Sequence, residues 1–162
     1  MAQIESLSSR ERKEIIEEAE KLFKNPGALL PKKGKTQKHT NEKDEIGYIV
    51  NNRDLILIKK EGKIIPSLHI ARDVELILPK IVVDLGAIRF VTNGADIMRP
   101  GITHIDDEVI EGTLVVIVEE RNGAPLAFGV AMYDAVDMRN MDNGRVVTNL
   151  HHLKDEWFEF VP

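Results

Sequence analysis

The sequence contains no cysteine. Structural disulfides, thiolate metal sites and cysteine nucleophiles are thereby excluded. Nor does it contain a long hydrophobic run. Stretches such as LVVIV at 114–118 fall far short of the roughly 20 apolar residues that a spanning helix needs. The opening MAQIESLSSRERK has no apolar core of the kind a secretory signal carries. Together these absences lead to the expectation of a cytoplasmic protein with no membrane partner.

Catalytic and cofactor motifs are missing as well. There is no GxxxxGK[ST], no GxGxxG and no HExxH. Gly34-Lys35-Thr36 echoes a phosphate loop but lacks its glycine framework. His104, Asp106, Asp107 and Glu108 are oxygen-rich, yet an acidic turn between two strands accounts for them. His151 and His152 are adjacent, so on a strand they face opposite ways and cannot form a pair of ligands. The expectation is a protein that is not an enzyme, with no catalytic residue, no cofactor and no metal site.

The net charge of −5 argues against a protein that coats nucleic acid nonspecifically. The average hides an asymmetry. Residues 1–79 balance to +2 and residues 80–162 to −7. Any nucleic-acid contact must therefore use local patches.

Ser8, with Glu11 three residues on, reads as the capping box of a helix. Ile15, Ala19, Leu22 and Phe23 recur at helical spacing, and Asn25-Pro26-Gly27 ends the element. Residues 28–45 change character: the run PKKGKTQKHTNEKDE has almost no apolar residue and reads as a mobile loop. Lys32, Lys33, Lys35 and Lys38 make it a candidate phosphate-contacting arm, although a solvated loop has the same composition. IGYIV at 46–50, DLILIKK at 54–60 and KIIPS read as an antiparallel meander. HIARDVELIL reads as a short helix followed by an extended segment. Pro79 and the shift from basic to acidic composition place a boundary there, giving domains 1–78 and 79–162.

The second half opens with KIVVDLGAIRFVTNGADIMRPGI. Ile81–Val83 reads as a strand. Asp84 caps a short helix from Leu85, with Ile88 and Val91 inward. Asn93-Gly94 supplies a left-handed turn and Pro100-Gly101 another. Leu114–Val118 and Leu126–Met132 read as strands joined by Arg121-Asn122-Gly123. Val146–Thr148 and Trp157–Val161 read as shorter ones, with Trp157 in the core. One helix and five or six short strands suggest a closed or nearly closed small barrel.

The stretch from Lys80 to Ile102 resembles the signature of the PUA domain, at Asp84, Gly86, Ala87, Phe90, Gly94, Ala95 and Pro100-Gly101. The ending NLHHLKDEWFEF, the N-terminal helix and meander, and IPSL at 65–68 are similar to the malignant-T-cell-amplified family and its archaeal relatives. The resemblance implies an α+β protein, with a small pre-PUA α/β domain followed by a PUA-type pseudo-barrel. It implies RNA binding in the translation apparatus, to tRNA or rRNA at the small ribosomal subunit, in initiation or recycling, with a density-regulated-type protein as a partner. It maps RNA onto Gly86, Ala87, Arg89, Gly94, Arg99, Pro100 and Gly101. Arg89 and Arg99 are expected to flank one backbone segment. The −7 balance after residue 79 supports a different reading, an adaptor whose acidic PUA fold binds protein and not RNA.

Overall fold

A computed structural model describes residues 3–30 and 35–162. They fall into two compact units, residues up to Ile77 together with Glu159–Pro162, and Leu78–Phe158. The architecture is α+β, with an open first sheet and a near-barrel second one.

The first unit holds β1 (Gln3–Ser6), α1 (Ser9–Leu22), β2 (Thr36–Thr40), β3 (Ile46–Val50), β4 (Asp54–Lys60) and β5 (Lys63–Pro66). The five strands form one sheet in chain order, every pair antiparallel. Ser8 caps α1: its hydroxyl oxygen accepts from the Glu11 amide at 3.2 Å and its proton goes to the Glu11 carboxylate at 3.1 Å. Ile15, Ala19 and Leu22 are buried along one stripe of the helix. In the hairpin between β4 and β5, Lys60 pairs with Lys63 across Glu61-Gly62. Both loop residues have positive φ, 52° and 75°, the primed turn that matches strand twist.

Three expectations fail in this unit. Residues 36–40 are not part of a loop: β2 pairs with both β1 and β3, and Thr36 is buried. A polar strand between two neighbours is held by its backbone ladder, which leaves no apolar period to read. HIARDVELIL forms no helix. The Ile70 amide bonds to the Ser67 carbonyl and the Asp73 amide to the Ile70 carbonyl, a chain of turns that ends at a bridge between Leu76 and Phe23. Residues 159–162, assigned from sequence to the second domain, cluster with the first unit. The Phe160 ring lies 4.6 Å from that of His39.

The second unit holds β6 (Lys80–Val83), α2 (Ile88–Thr92), β7 (Ile97–Met98), β8 (Ile102–Ile105), β9 (Leu114–Glu119), β10 (Pro125–Ala131), α3 (Ala135–Arg139), β11 (Arg145–His152) and α4 (Glu156–Glu159). Its six strands run in the order β7-β11-β10-β9-β6-β8. Only β6 against β9 is parallel. The core is aliphatic, built on Ile81, Val83, Ile97, Val115, Ile117, Met138, Val146 and Val147. Glu119 organises the β9–β10 hairpin, its carboxylate accepting the amides of Arg121, Asn122 and Ala124. Residues 157–161 are not a strand. Lys154 at φ 72° breaks the extension, and Asp155 accepts the Phe158 amide at 2.8 Å to start α4. Trp157 is buried, in a helix and not a strand. The helix α3 is also new relative to the sequence reading. No helix among the described residues is long and apolar enough to cross a membrane.

Between β10 and β11 the register shifts at Phe128/Gly129. A Cβ at Gly129 would lie 2.4 Å from the Thr148 carbonyl oxygen and 2.6 Å from Val147 Cγ1. Backbone approaches backbone there, and only glycine permits it. Gly129→Ala is expected to destabilise the protein by at least about 2 kcal/mol, as overpacking in a closed core does. Urea unfolding followed by the fluorescence of the sole tryptophan, Trp157, measures it; an unchanged midpoint would refute the steric argument.

Candidate nucleic-acid interface

The chain leaves β6 through a short 3-10 turn, Leu85–Ala87, into α2. Asp84 fixes this start: its carboxylate accepts the Ala87 amide at 2.9 Å, and its own amide donates to the Gly101 carbonyl at 2.9 Å. A second 3-10 turn, Arg99–Gly101, is thereby stitched beside the first. A Cβ on Gly101 would sit 3.3 Å from that of Ala87, so the two turns pack almost backbone to backbone.

The other end of α2 is gripped by β11. The Asn149 side-chain amide donates to the carbonyls of Val91 and Ala95, each at 3.0 Å. The His152 Nδ1 faces the carbonyls of Thr92 at 3.0 Å and Leu153 at 2.8 Å. Two acceptors require the proton on Nδ1. The far edge of the same ring lies against Gly94, whose φ is 92° and whose Cβ would meet Nε2 at 2.9 Å. These bonds satisfy carbonyls that a five-residue helix otherwise leaves open.

Between α2, β7 and the 99–101 turn lies an apolar groove of about 660 Å³, lined by Val83, Gly86, Ala87, Phe90, Met98 and Pro100 among others. Phe90 is 54 % exposed and Met98 48 %, and Leu85 beside them is also exposed. The Arg89 guanidinium rests on the Phe90 ring, 4.8 Å from its centroid. Arg145 also lines the groove and pairs with Asp96 at 3.2 Å. Apolar walls, an exposed aromatic ring and two arginines suit a flat, partly apolar ligand that carries negative charge.

The structure brings Gly86, Ala87, Pro100 and Gly101 together on this groove. Arg89 stands on Phe90 beside it, and Gly94 supports α2 from behind. Arg99 goes elsewhere. Its Nε donates to the Met138 carbonyl at 2.8 Å and an Nη to the Ile102 carbonyl at 3.3 Å, in a second groove. Arg89 and Arg99 therefore do not line a common groove. Lys32 and Lys33 lie outside the described residues. Lys35 is exposed, whereas Lys38 is half-buried and bonded to Glu11 at 2.8 Å. That bond raises the Lys38 pKa and lowers that of Glu11. Phe90, Met98 and Arg145 as site residues, and Asn149 and His152 as their support, were missed in sequence. Only Phe90 had a signal, its place off the buried Ile88–Val91 face.

A family model described as the PUA domain matches residues 79–153. An uncharacterized protein of Methanocaldococcus jannaschii is 34% identical over 154 residues, covering 95% of this chain and 94% of that one. Translation machinery-associated protein 20 of Saccharomyces cerevisiae is 31% identical over 138 residues, 82% of this chain and 76% of its own. The crystal structure of a hypothetical protein from Pyrococcus horikoshii superposes with a TM-score of 0.81 at 30% identity, covering 97% of this chain and 98% of that one. The chain belongs to the PUA-domain family of the malignant-T-cell-amplified proteins and their archaeal relatives.

In this PUA domain the strand that supports the groove is itself tied to the chain that follows it. Asp155 receives the His151 Nδ1 proton at 2.8 Å and the His152 amide at 3.0 Å. Burial opposes ionisation of Asp155, but His151 and the amides of Phe158 and His152 outweigh it and hold the carboxyl below its ordinary value. A depressed carboxylate contributes stability that is complete above the unfolded value of about 3.9 and lost as pH falls through the lower folded one. Asp155→Asn is therefore expected to lower stability at pH 7 and to shrink the loss between pH 5 and pH 2. Urea midpoints across that range test it, and parallel curves for the two proteins would contradict the assignment.

Proposed function

We propose that the protein binds RNA in the groove between α2 and β7, as a non-catalytic component of the translation apparatus. The observation that carries this is the exposed Phe90 ring, backed by Arg89, over an apolar floor. An unstacked base can lie on Phe90, with its phosphates met by Arg89 and Arg145. Glycine and alanine at 86 and 87 leave the backbone of the turn into α2 open to close approach. The name of the Saccharomyces cerevisiae relative, translation machinery-associated protein 20, supports the setting. The finer proposal is tRNA or rRNA at the small ribosomal subunit, in initiation or recycling, within the cytoplasm.

A protein partner of the density-regulated type is part of the same proposal. Exposed Ile110 and Val136 lie on neighbouring segments, since the Ala135 amide donates to the Val109 carbonyl. Glu108, Glu111, Asp134 and Asp137 surround them in sequence. This acidic, partly apolar surface supports a basic protein partner and shares no residue with the RNA groove. Lys35 adds nonspecific affinity, while Lys38 must first leave Glu11 to do so.

Phe90→Ala is expected to weaken binding of a single-stranded RNA by at least about fivefold, since stacking on an aromatic side chain contributes about 1–3 kcal/mol. Arg89→Ala should weaken it less. Both side chains are exposed, so the fold should survive. Fluorescence anisotropy with a labelled oligonucleotide reads the effect. A folded Phe90→Ala protein that binds as wild type does would remove the groove from the reading, and a wild-type chain that binds no RNA would leave the adaptor role.

A further inference from the structure

The turn Arg99–Gly101 is a ridge between two grooves. Pro100 and Gly101 face the apolar groove, with Met98 just before them. Arg99 faces a second groove of about 400 Å³, lined by Arg99, Thr103, His104 and Arg139 together with Ile102 and Ile105. We propose that this second groove holds a phosphate group, that of the nucleotide next to the one whose base lies on Phe90. The proposal rests on the RNA reading above and extends its footprint across the ridge.

The case begins with Arg99. Its guanidinium is half-buried and bonded to two carbonyls, and among the described residues no carboxylate lies within ion-pair distance of it. A partly desolvated cation with only neutral acceptors favours an anion beside it. Its Nη2 carries no bond to any of the described residues. Arg139 shares the groove. It donates to the Ile105 carbonyl and to Asp107, through Nη2 in both cases, so Nε and Nη1 retain their protons for a ligand. Both arginines are thus oriented before any ligand arrives, which lowers the ordering cost of binding.

Two carboxylates compete for the same groove. Asp107, highly exposed at 85 %, lies on Arg139, and Asp106 bonds His104 at 2.9 Å. An incoming phosphate displaces Asp107 from Arg139 and leaves Arg99 in place. A single three-residue turn separates the two grooves, so one strand crossing that ridge meets both.

The experiment uses the whole chain. Proton–nitrogen spectra are recorded during titration with inorganic phosphate, and anisotropy with a short single-stranded RNA. Phosphate is expected to shift Thr103, His104, Ile105 and the Arg139 Nε signal. Arg139→Gln should weaken phosphate at least about fivefold. Asp107→Asn removes the competing carboxylate and should tighten phosphate and RNA by about threefold, a gain that a folding defect cannot imitate. For RNA, Arg139→Gln should also reduce the salt slope by roughly 0.7, one phosphate contact on a single strand. Phosphate that shifts no resonance of this groove, or affinities untouched by both variants, overturns the proposal. RNA binding that responds to Phe90→Ala but not to Arg139→Gln or Asp107→Asn overturns it too, while leaving the RNA reading intact. A groove that takes phosphate with both variant effects, in a protein that binds no RNA, overturns the RNA reading and retains a site for free phosphate.

Discussion

The geometry of the candidate interface depends on the grip that β11 exerts on the end of α2. A five-residue helix cannot hold itself together in water, because nucleation costs more than so few hydrogen bonds return. Here Asn149 and His152 reach from the sheet to three carbonyls at that end, those of Val91, Thr92 and Ala95. Asp84 fixes the opposite end. The helix is therefore set in place by side chains of the sheet in addition to its own few backbone bonds. Gly94 is required because the imidazole that makes these bonds needs the space a Cβ would fill. Asp155 in turn orients the next histidine along the strand, so the acid-sensitive part of the domain and its ligand-facing helix share one strand.

That arrangement explains how a domain with a −7 balance can offer an RNA site at all. Its carboxylates are largely committed elsewhere. Glu119 closes a hairpin, Asp155 starts α4, Asp84 caps a turn, and Asp96 takes the Asn149 amide as well as Arg145. What faces the groove is mostly carbon. On the RNA reading proposed above, stacking and apolar contact would carry more of the affinity there than phosphate neutralisation does. On the same reading, an acidic surround would repel RNA that does not present an unstacked base, which favours selectivity over strength.

Much of the second unit was legible because its signals are local. Asp84 as a cap, Gly94 at positive φ and Pro100-Gly101 at a turn all act within a few residues of themselves. The continuous apolar runs of β9 and β10 are likewise local signals. Other features depend on partners far along the chain. Nothing around Arg99 announces that its side chain will cross to the Met138 carbonyl, 39 residues on. Asn149 contacts Val91 from 58 residues away. In the first unit β2 was invisible for the opposite reason: TQKHT has no apolar period, and its place is set by strands on both sides. At the C-terminus, WFEFV alternates as a strand should, yet Lys154 in the left-handed region and the Asp155 cap redirect it into a turn of helix.

The edge strand β8 shows how one pair of side chains can meet two demands. An unpaired strand edge invites association with other chains. Arg99 and Arg139 cover carbonyls near its two ends, Ile102 and Ile105, and so blunt that edge. Covering a carbonyl needs a donor but does not need a full charge. A neutral amide would serve the edge equally well and would avoid the cost of partly burying a cation. Arginine adds a planar fork with donors left over, held at a fixed angle by the bonds it has already made. The leftover donors belong to side chains that line a groove, and for Arg99 no carboxylate among the described residues answers them. Edge protection alone accounts for the bonds each arginine makes. It does not account for the charge, and an anionic ligand does.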